Sequence, residues 1–174
     1  KVTTDSLRRP LEEGDRIAFS YFFPCAKCYN CIRGEFGACK FRLGRKPLDE
    51  WPVCNGGFAQ YYYLRSPHYI FKLPDEISNA SAAPINCALA QVYDALHIGG
   101  VMLGDNIVIQ GAGGLGVNAT AIANELGASK IIVIDGQKPR LDLALQCGAT
   151  DIIDMNEFDT PQSRIDRVME LTNG

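Results

Sequence analysis

Four cysteines near the start of the chain are spaced closely enough to share one ion. Their pattern is C-x2-C-x2-C-x7-C, formed by Cys25, Cys28, Cys31 and Cys39. A compact loop of this spacing can place four thiolates tetrahedrally, which closes the coordination shell of zinc and leaves no position for substrate or water. An iron–sulfur cluster is the alternative, but a ferredoxin run has its next cysteine three residues later and before a proline. Here the gap is seven residues and Lys40 follows, so the pattern predicts a structural zinc site.

A glycine-rich turn forms a second candidate site. It reads G-x-G-x-x-G between a predicted strand and a predicted helix. In that setting Gly111 allows the tight turn, Gly113 lets a pyrophosphate approach the backbone, and Gly116 lets the helix pack closely on the strand. The helix N-terminus adds N–H donors and the positive end of its dipole. We therefore predict a dinucleotide-binding turn whose cofactor contacts are Gly111, Gly113, Gly114, Leu115 and Gly116.

A carboxylate follows at the end of the next predicted strand. Asp135 stands where it could accept hydrogen bonds from the adenosine ribose hydroxyls of NAD. An isolated Asp-Gly pair would indicate only a turn, but the order strand, glycine turn, helix and strand favours the ribose role. Lys138 and Arg140 lie nearby and could meet the 2′-phosphate of NADP, which Asp135 would repel. The sequence therefore favours NAD over NADP.

The remaining cysteines have no partner at ligand spacing. Cys87 lies in a predicted helix, where its spacing alone indicates a buried small hydrophobic residue. Cys147 has the same interpretation, and Cys54 is expected to be a free thiol in a loop. The sequence contains no G-x-S-x-G, H-E-x-x-H or P-loop motif, so the usual hydrolase and nucleoside-triphosphatase signatures are absent.

The elements that position these residues change character along the chain. The first half is predicted to be β-rich, with short extended segments at Arg16–Tyr21, Gly57–Arg65 and Tyr69–Leu73. Apolar residues then recur at helical spacing from about Ser78 to Leu96, with a break near Pro84 and an end at Gly99-Gly100.

The second half alternates strictly between strands and helices. The predicted strands are Ile107–Gln110, Ile131–Asp135 and Ile152-Ile153. The first two predicted helices are Leu115–Leu126 and Pro139–Cys147. A last helix is predicted to begin with Thr160 as its cap and Pro161 at its first position, and to end at Asn173-Gly174. Its inward-facing residues are predicted to be Ile165, Val168 and Met169. This order predicts an α/β fold: a partial Rossmann domain of three βα units with a parallel sheet, joined to a β-rich portion.

Composition limits the function classes. The 174 residues are 47% hydrophobic and 21% charged, which is typical of a folded protein. The net charge is −3 and no run of Lys or Arg forms a positive stripe, so neither nucleic acid nor a membrane surface is an expected partner. No apolar segment is long enough to span a membrane and the first residues do not resemble a signal peptide, so a cytoplasmic location is expected.

Several strings occur together in one order and approximate spacing. They are Gly14-Asp15-Arg16-Ile17, the four cysteines, Gly56-Gly57-Phe58-Ala59-Gln60-Tyr61, Lys72-Leu73-Pro74, Gly104-Asp105-Asn106-Ile107 and the glycine turn. In this combination the chain resembles the zinc-containing medium-chain alcohol dehydrogenase family over essentially its whole length.

The resemblance implies two domains. Residues 1–84 would be part of a GroES-like catalytic domain with a structural zinc lobe at residues 24–40, and residues 85–174 would hold an interdomain helix and the first half of the NAD-binding Rossmann domain. It also implies a homo-oligomeric parent that oxidises an alcohol or polyol to an aldehyde or ketone, with hydride passing to NAD.

The resemblance changes the interpretation of Cys87, which matches a cysteine that completes the family's catalytic zinc site. The family's first catalytic cysteine and its Gly-His-Glu segment would precede Lys1, and the second half of the Rossmann sheet would follow Gly174. The chain alone is therefore expected to be inactive. A non-enzymatic zinc- and nucleotide-binding module is the alternative.

Overall fold

A computed structural model describes residues 2–20, 23–42, 57–64 and 68–174. The chain divides into two compact units, Lys1–Ala82 and Ala83–Gly174. The sequence expectations for Cys54, for Gly56, and for the strand ends at Tyr21 and Arg65 lie outside the described residues. Within the described part, no helix is both long and apolar enough to cross a bilayer.

The first unit contains a small antiparallel sheet. Strand β1 (Ile17–Phe19) pairs with strand β2 (Ile70–Lys72). The two segments predicted around them are thus confirmed as strands, each shorter than predicted. The third extended segment is wrong over residues 57–64, which form bends and irregular backbone without a strand. Its aromatic residues are of the type enriched in strands, but residue type alone does not supply a neighbouring strand to pair with.

Hydrogen bonds to a buried carboxylate attach the N-terminal turn to this sheet. Asp5 accepts from the backbone N–H groups of Leu7, Arg9 and Lys72 at 2.9, 2.8 and 3.1 Å. The guanidinium of Arg9 donates to the same carboxylate and to the Lys72 carbonyl oxygen. Burial raises the pKa of Asp5, but these hydrogen bonds outweigh it and hold the pKa well below its usual range. Asp5 is therefore an ionised structural anchor.

Helix α1 (Tyr29–Ile32) belongs to the cysteine loop. Three further helical segments lie near the middle of the chain, of which the first, α2 (Asn79–Ala82), precedes a break at Pro84. A π-helical turn (Ile85–Leu89) and helix α3 (Ala90–Ile98) follow, and Gly99-Gly100 ends the run as predicted. The break at Pro84 is confirmed, whereas the π-turn was not predicted. Leu96 of α3 packs against the core of the second unit.

The second unit is the predicted succession of strands and helices. Its strands are β3 (Asn106–Gln110), β4 (Lys130–Asp135) and β5 (Asp151–Asp154), and its remaining helices are α4 (Gly114–Glu125), α5 (Lys138–Gln146) and α6 (Pro161–Thr172). The strands form a parallel sheet in the order β3-β4-β5. The α/β fold with a parallel sheet is confirmed, and each boundary lies within one or two residues of its prediction.

The central strand, β4, shows why the sequence predicts this unit so closely. Ile131 and Val133 pack on one face of the sheet against Ala123 and Leu141, while Ile132 packs on the other. Because both faces of a parallel strand are covered, its sequence is an uninterrupted apolar run.

Helix α6 is capped as predicted but faces partly outward. Thr160 Oγ1 accepts from the Ser163 N–H at 3.1 Å, and Asn173 ends the helix with a left-handed φ of 61°. Val168 packs on the sheet, whereas Ile165 and Met169 are 53% and 50% exposed, so the inward assignment of these two is wrong. Helical spacing identifies an apolar face, but it does not show whether another element covers that face.

Candidate functional site

The four clustered cysteines converge on one point. Their sulfur atoms all lie within 4.8 Å of one another. The Cys28–Cys31, Cys28–Cys39 and Cys25–Cys31 sulfur pairs are 3.5, 3.9 and 3.9 Å apart. A tetrahedral zinc site with bonds of about 2.3 Å needs sulfur–sulfur separations of about 3.8 Å. The thiols therefore fit a zinc ion in both donor type and spacing.

Short local elements bring these thiols together. Helix α1 begins after Cys28, so Cys28 and Cys31 share one face at the i, i+3 spacing. A 3-10 turn at Phe36–Ala38 then delivers Cys39, and the Cys25 N–H donates to the Cys39 sulfur at 3.4 Å. Ala26, between the first two cysteines, holds a left-handed φ of 59°. A residue other than glycine at such a φ indicates a tightly constrained loop.

The electrostatics of the loop favour thiolate at part of the cluster. The backbone N–H of Cys31 lowers the pKa of Cys28 to about 6, and the Cys25 N–H lowers the pKa of Cys39. Burial raises the pKa of Cys31. The loop therefore favours thiolate character within the cluster, and zinc binding would displace the protons that remain on its thiols.

The glycine turn has the geometry that its sequence predicted. Gly111 follows β3 with a φ of 97°, which an L side chain rarely adopts. A Cβ on Gly116 would lie 1.8 Å from the Gly111 carbonyl oxygen, so only glycine lets α4 approach the turn this closely. A Cβ on Gly113 or Gly114 would meet nothing within 4 Å. The space in front of the α4 N-terminus is open.

Asp135 is joined directly to this turn. Its Oδ2 accepts from the Ala112 N–H at 2.7 Å and its Oδ1 from the Gln137 N–H at 2.8 Å. The Ala112 hydrogen bond is the main cause that lowers the pKa of Asp135, and Arg140, 3.9 Å away, also contributes. The carboxylate is ionised, nearly buried, and fixed at the end of β4 beside the turn.

Cys87 lines an open cleft of about 680 Å³ together with the glycine turn. The other lining residues include Gly111, Gly113 and Leu115. The Cys87 side chain is exposed, so the expectation from spacing that it is buried is wrong. Cys87 lies in the π-helical turn, none of whose residues is buried, and such turns are frequent at functional sites. Cys147 is half-buried at the end of α5.

The sequence analysis missed two contacts of the site. Ala112 enters the site through its backbone N–H, which no motif position marks. Gln91 lies one turn beyond Cys87 and accepts from its sulfur at 3.7 Å. The helical i, i+4 spacing is the signal that could have identified this pair.

Comparison with known proteins follows the same division of the chain. Residues 2–75 match the alcohol dehydrogenase GroES-like domain, and residues 114–174 match the zinc-binding dehydrogenase family. A 5-exo-hydroxycamphor dehydrogenase of Pseudomonas putida is 34% identical over 94% of this chain and 45% of its own length. A sorbitol dehydrogenase of Bombyx mori is 32% identical over 92% of this chain and 44% of its own length.

A solved structure shows the same likeness. An alcohol dehydrogenase from Thermotoga maritima aligns with 99% of this chain and 48% of its own, with a TM-score of 0.89 and 29% identity. The chain belongs to the zinc-containing medium-chain alcohol dehydrogenase family. It spans less than half the length of the relatives described above.

Proposed function

We propose that this chain supplies the structural zinc site and the adenosine side of the cofactor site of a zinc- and NAD-dependent alcohol or polyol dehydrogenase. One observation carries the proposal: an ionised, fixed Asp135 stands beside a glycine turn with open space before a helix N-terminus. The combination suits a ribose next to a pyrophosphate.

The zinc lobe has a structural role in this proposal. Cys25, Cys28, Cys31 and Cys39 would hold one zinc ion with four sulfurs. Because this shell is complete, the ion cannot activate a water or an alcohol. Its contribution is to fold the loop.

The cofactor would be NAD. The N–H groups at the start of α4 would bind the pyrophosphate, and the free lone pairs of Asp135 would accept from both ribose hydroxyls. A 2′-phosphate would place negative charge against the Asp135 carboxylate, and Arg140 is already near that carboxylate at 3.9 Å. The site therefore disfavours NADP.

Cys87 would be one ligand of a catalytic zinc, since its exposed thiol lies in the same cleft as the glycine turn. A zinc ion bound there would lower the pKa of an alcohol, and the alcohol's α-hydride would pass to the nicotinamide. Among the described residues, no further potential metal ligand joins Cys87 in a cluster. A single thiol cannot retain the ion, so we expect the 174-residue chain alone to be inactive.

Zinc counting and cofactor-linked activity test this function. We expect one zinc per 174-residue chain and about two per chain in a longer parent protein, with alcohol-dependent NAD reduction by the parent only. Equal zinc content in both, with no activity in the parent, would favour a binding module instead. Alcohol-dependent NAD reduction by the 174-residue chain would contradict our expectation that this chain alone is inactive. We further propose a homo-oligomeric parent in a reducing, cytoplasmic compartment.

A further inference from the structure

The loops that follow β4 and β5 are joined by one side-chain amide. Asn156 Nδ2 donates to the Gly136 carbonyl oxygen at 2.9 Å and to Asp154 Oδ1 at 2.7 Å. Both neighbouring oxygens can only accept, so the amide must present its NH₂ group to them. The Asn156 N–H also donates to Asp154 Oδ1, at 2.8 Å. The amide is therefore held in one orientation.

The Asn156 amide contacts the Gly136-Gln137 turn, which orients the Asp135 carboxylate. Gly136 provides the carbonyl that Asn156 holds, and the next residue, Gln137, donates its N–H to Asp135 Oδ1 at 2.8 Å. The Met155 N–H also donates to the Asp135 carbonyl oxygen at 3.0 Å. A continuous series of hydrogen bonds thus runs from the β5 loop through the Gly136-Gln137 turn to Asp135, and on to the Ala112 N–H.

We propose that Asn156 is a positioning residue for ribose recognition: it holds the Gly136-Gln137 turn so that Asp135 keeps its lone pairs directed to the ribose hydroxyls. This inference rests on the proposed function of Asp135. Asn156 is exposed and packs in neither buried core cluster, so its truncation removes the link without opening a cavity. Loss of the Asn156 side chain changes the orientation of the Asp135 carboxylate and leaves the space available for the nucleotide unchanged.

Two nucleotides that differ in one hydroxyl isolate this effect. The 174-residue chain is titrated calorimetrically with ADP and with 2′-deoxy-ADP, which lacks one hydroxyl that Asp135 would bind. We expect Asn156→Ala to weaken ADP about fivefold and 2′-deoxy-ADP less than about twofold, since one hydrogen bond contributes about 1 kcal/mol. A role in folding alone would weaken both nucleotides equally.

The control is Gln162→Ala. Gln162 is also an exposed amide, donating to Asp166 on α6 at 2.7 Å, and it should leave both affinities unchanged. Thermal unfolding of each variant establishes that the fold is retained. Equal weakening of both nucleotides by Asn156→Ala, or no weakening, would overturn the positioning role while leaving the ribose site intact. Failure of the unmodified chain to prefer ADP would overturn both that role and the assignment of Asp135.

Discussion

The two units are stabilised in different ways. Among the described residues, the buried side chains of the first unit are Pro24, Cys31, Cys39 and Ile70, alongside the polar anchor Asp5. The second unit has an aliphatic core on both faces of β4, in which Ile131, Ile132 and Val133 are fully buried. The first unit therefore depends on discrete polar and thiol contacts, and the second on packing. Loss of the metal should therefore unfold part of the first unit only. Loss of close packing should unfold part of the second unit only.

Removal of zinc should have the largest effect. A four-thiolate zinc site contributes about 10 kcal/mol or more to the folding of its loop. We expect a chelator, or Cys39→Ser, to abolish hydrogen-exchange protection in residues 25–39 and to leave β3–β5 protected. Cys147→Ser is the matched control, because this thiol lies outside the cluster. Unchanged protection of the loop without zinc would contradict the metal-dependent description of the first unit.

Gly116→Ala should have the next largest effect, on the second unit. The added Cβ would lie 1.8 Å from a backbone oxygen, so α4 would have to move, at a cost of about 4 kcal/mol or more. Urea unfolding measures this loss.

Gly113→Ala separates folding from binding in the same turn. Its Cβ meets nothing within 4 Å, so the fold should persist while the methyl group blocks the pyrophosphate and ADP binding falls about tenfold or more. Equal stability losses for the Gly113 and Gly116 variants would show that close packing at Gly116 is not the reason for that glycine.

Asp135→Asn should have an intermediate effect on both stability and binding. The lowered pKa of Asp135 means that its ionised form stabilises the fold above its unfolded pKa, and that this contribution is lost as pH falls through the folded pKa. We expect a loss of about 1–2 kcal/mol at pH 7 and about tenfold weaker ADP binding. Urea unfolding of both proteins from pH 7 to 2 should show the difference in stability closing below pH about 4. A constant difference would indicate that the charge is not involved.

Thr160→Ala should have the smallest effect. The substitution removes the hydroxyl that caps α6 through the Ser163 N–H and should cost about 1 kcal/mol. Because the cap lies in the second unit, the loss should be the same with zinc present or chelated. A zinc-dependent loss would break the proposed separation between the units.

The same contrast explains what could be predicted from the sequence. The β4 strand can be recognised in the sequence because burial on both faces restricts its residues to apolar types. The Gly111–Gly116 turn can be recognised because close packing requires glycine. The cysteine spacing is equally informative, since four ligands must reach one ion. Cys87 lies in a π-turn that its helical spacing did not predict, and the hydrogen bond to Asp135 comes from the main chain of Ala112. Residue types indicate neither feature. Ile165 shows the remaining difficulty, because an apolar helix face does not specify what covers it.

The most direct test is to count zinc and measure ADP affinity on the same sample before and after chelation. Native mass spectrometry and calorimetry should give one zinc and one ADP per 174-residue chain. Since all described residues of each site lie within one unit, chelation should remove the zinc and leave ADP affinity unchanged within about twofold. Absence of ADP binding by the zinc-loaded chain, or its loss together with the zinc, would contradict a chain that carries two self-contained sites.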